Sequence, residues 1–300
     1  MTIILGINAY HGDSSACLVR DGQLLAAAEE ERFRRIKHWA GLPSQAVAYC
    51  LQSAGLSLAD VDVIAVNTDP KTAIGKKICF ALKRRLSPAV VLRRLRSARQ
   101  RMDLVDELVA ALGGSFSGRL EHVEHHYCHL ASAFLVSPFA DAVVVSVDGF
   151  GDFASAAWGL GQGNCMAIDG RVHFPHSLGL FYTAITQLIG FPQYGDEYKI
   201  MGLAPYGEPD FLEQMRRIVR LKPDGSYELD LQYFCHHTSN FKYAWDHGSP
   251  EIGRVFTAAL EGLLGTARAD GEELTQRHKN LARSADIVLV KPTVPPHQIM

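Results

Sequence analysis

Short, uniformly apolar runs alternate along this chain with longer stretches in which apolar residues return every three or four positions. That is the pattern of buried strands interleaved with helices. "TIILGINAY" at the start is a strand of the buried kind. "SSACLVRDGQLLAAAEE" reads as two strands joined at Asp21-Gly22, a two-residue hairpin signal. A helix follows Pro43 in "PSQAVAYCLQSAG" and stops at Gly55, and "VDVIAVN" is a further buried strand. "RLEHVEHH" leads into a helix through "LASAFL", and "DAVVVSVDGFGDFASAAWGL" is strand, glycine turn, strand. "SLGLFYTAITQLIG" and "EIGRVFTAALEGLLGTARA" have helical spacing. The sum is a layered α/β protein.

Composition narrows the classes. Over 300 residues, 47% are apolar, enough for one large domain or two ordinary ones with a sizeable core. A net charge of −2 gives no field that favours nucleic acid or an anionic membrane. No apolar run reaches about 18 residues, so no membrane span is expected. The N-terminus lacks a basic leader and a cleavage site. Six irregularly spaced cysteines without a CxxC pair suggest reduced thiols and a cytoplasmic location.

Two segments share a design of strand, turn rich in Gly, Asp and Ser, then strand: "LGINAYHGDSSACLV" and "VVVSVDGFGDFASAAWG". Glycine allows left-handed or closely approached backbone whose N–H groups can point at phosphate oxygens. The repetition suggests two related half-domains facing one cleft.

"EHVEHHYCHLASAF" places four histidines and a cysteine within nine positions. Two imidazoles on one helix face require i, i+4 spacing, which His125/His129 and His122/His126 both satisfy. A helix starting near Glu124 leaves His122 on the strand side and makes His125 and His129 the inward pair. Asp148, at the end of the next strand, is the natural third ligand. The spacing alone serves equally well for polar residues at a helix start.

"EEERFRRIKH", "HHYCHLASAF", "VDGFGD" and "GDEYKIMGLAPYGEP", in this order, resemble the N-terminal domain of the NodU/CmcH-type carbamoyltransferases. The last string is the most specific, and the resemblance runs from residue 3 to about residue 285. It implies an actin-like ATPase (ribonuclease H-like) fold of two half-domains: 1–140, carrying the first turn, a basic insert and the His-rich helix, and 141–285, incomplete, with an atypical tail at 286–300. It implies transfer of a carbamoyl group from carbamoyl phosphate, through a carbamoyl-adenylate made with ATP, onto a hydroxyl of a small-molecule natural product. His125, His129 and Asp148 match the family's iron-type site, which implies Fe(II). His11, Asp13 and Lys37 match positions at the transfer site, and Gly149, Gly151 and Asp152 form the turn that approaches phosphate. The resemblance leaves room for a homodimer and implies no membrane or nucleic-acid partner.

The chain also departs from the family. A glycine separates His11 from Asp13 in "HGD". After "LARSAD" the family pattern is a strand and a Gly-Gly turn, whereas "IVLVKPTVPPHQIM" follows here. A further metal-binding Asp and the adenylate-forming domain have no counterpart within these residues. The expectations are impaired activity, association, and lost packing for "EIGRVFTAALEGLLG". The basic stretch 71–101 reads as a solvated helical face, and the histidines in "CHHTSNF" as surface or pocket-lining groups. Two other classes fit the residues: a sugar-kinase-like actin-fold ATPase, and a non-catalytic metal- and nucleotide-binding module.

Overall fold

A computed structural model describes residues 1–83, 103–238, 243–244 and 248–290. The chain folds into two compact units, Met1–His125 with Tyr243–Glu251, and His126–Lys242 with Ile252–Met300.

The first unit is built on a five-stranded sheet of order β3-β2-β1-β4-β5. Its strands are β1 (Ile3–Asn8), β2 (Ser15–Arg20), β3 (Gln23–Glu29), β4 (Val63–Val66) and β5 (Arg119–His122). β1 runs antiparallel to β2, from Ile3↔Arg20 to Asn8↔Ser15, and parallel to β4, from Ile4↔Val63 to Ile7↔Val66. The expected hairpin is present, with Asp21 and Gly22 at φ 48° and 83°, the pair of left-handed residues that a two-residue turn needs. A four-residue helix, α1 (Glu31–Arg34), follows β3, and α2 (Ser44–Ser53) follows it. α3 (Ile74–Lys83) and α4 (Leu104–Leu112) complete the helices of this unit that are described here. Ile3, Leu5 and Ile7 point to one face of β1, where Val47, Cys50 and Leu51 of α2 and Leu104 and Leu108 of α4 share their core. Leu5 and Ile64 are fully buried, and each such side chain contributes about 1.5–3 kcal/mol. This mixed sheet order is the one expected of a ribonuclease H-like half-domain. The basic stretch beyond residue 83 lies outside the described residues.

The second unit opens on α5 (His125–Phe134), whose first residue sits at the division between units. A three-stranded antiparallel meander follows: β6 (Asp141–Gly151), β7 (Ala154–Gln162) and β8 (Cys165–His173), in that order. Leu130 and Phe134 of α5 pack on Val144 and Ala157. α6 (Leu178–Leu188) is buried at every residue but Gly179, as a helix apolar on all sides must be. Around it lie α7 (Glu197–Leu203), α8 (Leu212–Ile218), the hairpin β9 (Val219–Leu221) and β10 (Tyr227–Leu229), α9 (Ala258–Leu264) and α10 (Gln276–Val290).

Two expectations are corrected. The helix read over "EIGRVFTAALEGLLGTARA" is confined to α9, because residues 252–256 are drawn into extended pairing. Cys235 N–H donates to the Val255 carbonyl at 2.8 Å, and Phe234 bridges Phe256. α9 does not lose its packing, since Leu260 and Leu264 are buried in the main core. The contact division falls after His125, where the His-rich helix packs on β6. Residues 286–290, read as part of a tail, continue α10. Among the described residues no helix is long and apolar enough to cross a membrane.

Candidate metal centre and the first turn

His125 and His129 stand one turn apart on α5, as the spacing required. The His125 Nδ1–H donates to the Asn67 carbonyl at 3.3 Å, since a carbonyl can only accept. That bond fixes the tautomer and leaves Nε2 as the ligating atom. His129 Nε2 lies 3.6 Å from Asp148 Oδ2. This is long for a direct hydrogen bond, but close to the roughly 3.4 Å that separates two ligands of a tetrahedral cation with bonds near 2.1 Å. One ligand atom from each of His125, His129 and Asp148 lies within 4.8 Å of the others. The donor set and its spacing fit a divalent metal. The other two histidines of the run are structural: His122 Nδ1 donates to the Thr68 carbonyl at 2.9 Å, and His126 is fully buried against Ser146 Oγ at 2.6 Å.

Asp148 is held from behind by the start of α6. Ser177 Oγ donates to the Asp148 carbonyl at 3.0 Å and accepts from Leu180 N–H, capping that helix. A Cβ on Gly179 would lie 2.7 Å from this same carbonyl, so the helix end fits only with glycine there.

The glycines of "DGFGD" have defined local contacts. Gly149 N–H donates to Asp148 Oδ1 at 2.6 Å, which orients the carboxylate. Gly151 pairs with Ala154, so the turn itself is Asp152-Phe153, at φ 48° and 72°. The first turn behaves likewise: Tyr10 and Asp13, not Gly12, are left-handed, both at φ 59°.

That first turn is laced to residues 38–41. Ser14 N–H donates to the Trp39 carbonyl at 2.9 Å and Tyr10 N–H to the Gly41 carbonyl at 3.0 Å. Ser14 Oγ accepts from Gly41 N–H at 3.1 Å, and Asn8 Nδ2 donates to the carbonyls of Gly12 and Asp13. Asp13 Oδ1 meets His38 Nδ1 at 2.8 Å, and His38 N–H donates to Glu31 Oε2 at 2.8 Å. His11 lies with its ring 5.5 Å from that of His125. Lys37 is exposed. The residue its motif brings to Asp13 is its neighbour His38, which the sequence reading passed over although it ends the quoted "RRIKH".

The most specific family string has a plain structural task. Gly207 would place a Cβ 2.0 Å from the Lys279 carbonyl of α10, Glu208 N–H donates to Asn280 Oδ1 at 2.9 Å, and Gln276 Nε2 donates to the Tyr206 carbonyl at 3.0 Å. Asp196 is buried and paired with Lys199 at 2.7 Å. His236 is no surface group. Its Nε2–H donates to the Pro175 carbonyl at 2.7 Å among the rings of Phe150, Phe174 and Phe234, and burial pushes its pKa down to about 4.

A family model described as "Carbamoyltransferase N-terminus" matches residues 3–247. An uncharacterised protein of Synechocystis sp. is 38% identical over 97% of this chain and 47% of its own length. Nodulation protein NolNO of Sinorhizobium fredii is 32% identical over 92% of this chain and 36% of its own length. The chain thus spans less than half the length of these relatives. Among solved structures, YeaZ from Pseudomonas aeruginosa aligns with a TM-score of 0.33 at 18% identity, over 58% of this chain and 68% of that one. The hexokinase of the ROK type from Thermus thermophilus aligns with a TM-score of 0.29 at 14% identity, over 59% and 52%.

Proposed function

Because the chain belongs to the carbamoyltransferase N-terminus family, we propose that it carries the transfer site of an enzyme that moves a carbamoyl group from carbamoyl-adenylate to a hydroxyl of a small natural product. The observation that supports this most is the convergence of His125, His129 and Asp148 at metal-ligand spacing within the matched segment. A divalent cation held there, Fe(II) by the family resemblance, would supply Lewis-acid stabilisation of charge on the leaving phosphate.

The chain's own groups do the rest. The acceptor oxygen attacks the carbamoyl carbon, the bond from that carbon to the phosphate oxygen breaks, and AMP departs. Asp13 takes the hydroxyl proton and passes it to solvent, a general-base task that commonly contributes about 10²–10⁴-fold. His11 steadies the carbonyl oxygen, and Lys37 offsets negative charge as it develops. Gly149, Gly151 and Asp152, around the second turn, would contact the nucleotide. ATP and carbamoyl phosphate enter through formation of the adenylate that this site would consume.

Metal analysis of the purified chain tests the centre. Near-stoichiometric divalent metal is expected, lost in a His125→Ala/His129→Ala variant and in Asp148→Asn. A wild-type chain that is folded yet binds no added Fe(II), Mn(II) or Zn(II) would sink the metal reading. Supplying carbamoyl-adenylate with hydroxyl-bearing acceptors then tests transfer, which Asp13→Asn should abolish.

A further inference from the structure

The family reading assigns chemistry to Asp13 but leaves unexplained what holds a side chain that is half exposed on a turn. A carboxylate there samples several rotamers unless something fixes it. We infer that His38 is a positioning residue for the transfer reaction, donating from Nδ1 to Asp13 Oδ1 so that Oδ2 faces the acceptor hydroxyl. The inference rests on the proposed transfer function and adds to it a residue outside the matched site positions.

Three observations carry it. The Asp13–His38 bond is short, 2.8 Å, and the Asp13 side chain is 51% exposed against 19% for His38, so the imidazole forms the sheltered side of the pair. Asp13 Oδ2 has no hydrogen bond among the described residues, which leaves it for a ligand. Second, both partners are non-glycine residues in the left-handed region, Asp13 at φ 59° and His38 at φ 56°. Such conformations cost on the order of 1–2 kcal/mol and persist only where surrounding bonds over-determine them. Third, those bonds are present on both sides. Asn8 clamps the carbonyls at Gly12 and Asp13, Glu31 receives the His38 N–H, and Ser14 ties the turn to Trp39 and Gly41. Two strained residues fixed face to face by five neighbours make a built arrangement, not a chance surface pair.

The left-handed backbone supplies a clean test. His38→Gly removes the imidazole where glycine carries no strain, so folding should be retained. His38→Asn keeps a residue tolerant of this φ and returns an amide donor near the place of Nδ1. The whole chain would be given carbamoyl-adenylate and a chitooligosaccharide or aminoglycoside probe, with product read as gain of one carbamoyl group by mass spectrometry. Expected are a fall in kcat of about 10- to 100-fold for His38→Gly at unchanged KM for the adenylate, and substantial recovery in His38→Asn. Wild-type kcat in His38→Gly, with Asp13→Asn inactive, would overturn the positioning role and leave the transfer reading intact. No transfer by the wild type would sink the parent reading and this one together. Asp13, Glu31 and His38 also offer ligand atoms within 4.8 Å of one another. A second equivalent of Mn(II) or Zn(II), lost in Asp13→Asn and His38→Gly alike, would overturn the base-positioning role in favour of a metal site.

Discussion

At the residue scale, the least expected group is His236, which the sequence offered as a surface or pocket-lining histidine and the fold buries among three phenylalanine rings. Desolvation pushes its pKa down to about 4, against about 6.5 in the unfolded chain. Between these values the unfolded chain binds more protons. The stabilising effect of the neutral ring is therefore complete above pH 6.5 and is lost as pH falls toward 4. The slope is about 1.4 kcal/mol per pH unit for one such group, and His176 and His278, also lowered by burial, act in the same direction. Urea unfolding between pH 7 and 5 should show this loss, and His236→Phe, which keeps the ring packing, should flatten the curve by about half or more. An unchanged slope in the variant would assign the effect to other groups. The same scale shows what spacing can and cannot reveal. His125 and His129 were legible because helix geometry turns i, i+4 into proximity. The left-handed residues of the two turns were not, since hydrogen bonds formed only on folding force Tyr10, Asp13, Asp152 and Phe153 into conformations that their neighbouring glycines could have taken without strain.

Elements whose patterns depend on near neighbours were read correctly from the chain: the Asp21-Gly22 hairpin, α2 ending before Gly55, and the strand–turn–strand of β6 and β7. The segment before α9 was misread because Ile252, Val255 and Phe256 have helical spacing, yet the Val255 carbonyl accepts from Cys235 N–H, its N–H donates to Gln187 Oε1, and Phe256 bridges Phe234. Tertiary pairing overrides local periodicity there. The string "GDEYKIMGLAPYG" was legible as a signature but not as a structure, because its reason lies some seventy positions downstream in α10. That reading has a paired test. Gly207→Ala brings a methyl against the rigid Lys279 carbonyl and should destabilise by about 1–3 kcal/mol. Gly202→Ala, inside α7 with open space where the Cβ would sit, should be neutral or stabilising by up to about 1 kcal/mol. Thermal midpoints of the two variants should move in opposite senses. Equal losses would mean that α10 does not approach this loop as described.

For the molecule as a whole, the two sheets invite comparison because each begins with a three-strand antiparallel meander. In the first unit β1 is flanked on both sides, by antiparallel β2 and by parallel β4. In the second unit the corresponding strand, β6, has β7 as its only partner among the described residues. From Asp141 to Val147 its outer edge has no strand partner among the described residues, a template for pairing with another chain. The same strand exposes Val143, Val145 and Val147 on one face, with Leu160 opposite Val143 across the ladder. No lysine, proline or charged side chain interrupts β6 between Val143 and Val147. Hence the chain should pair through β6 with a second copy as concentration rises. Light scattering after size exclusion should show a mass that climbs with loading in the wild type. A Val143→Lys/Val145→Lys variant should stay at the monomer mass with its thermal midpoint little changed, because both side chains already face outward and charge on an edge strand opposes docking. A wild type that remains monomeric at every loading, or a lysine variant that associates as strongly, would remove β6 as the contact.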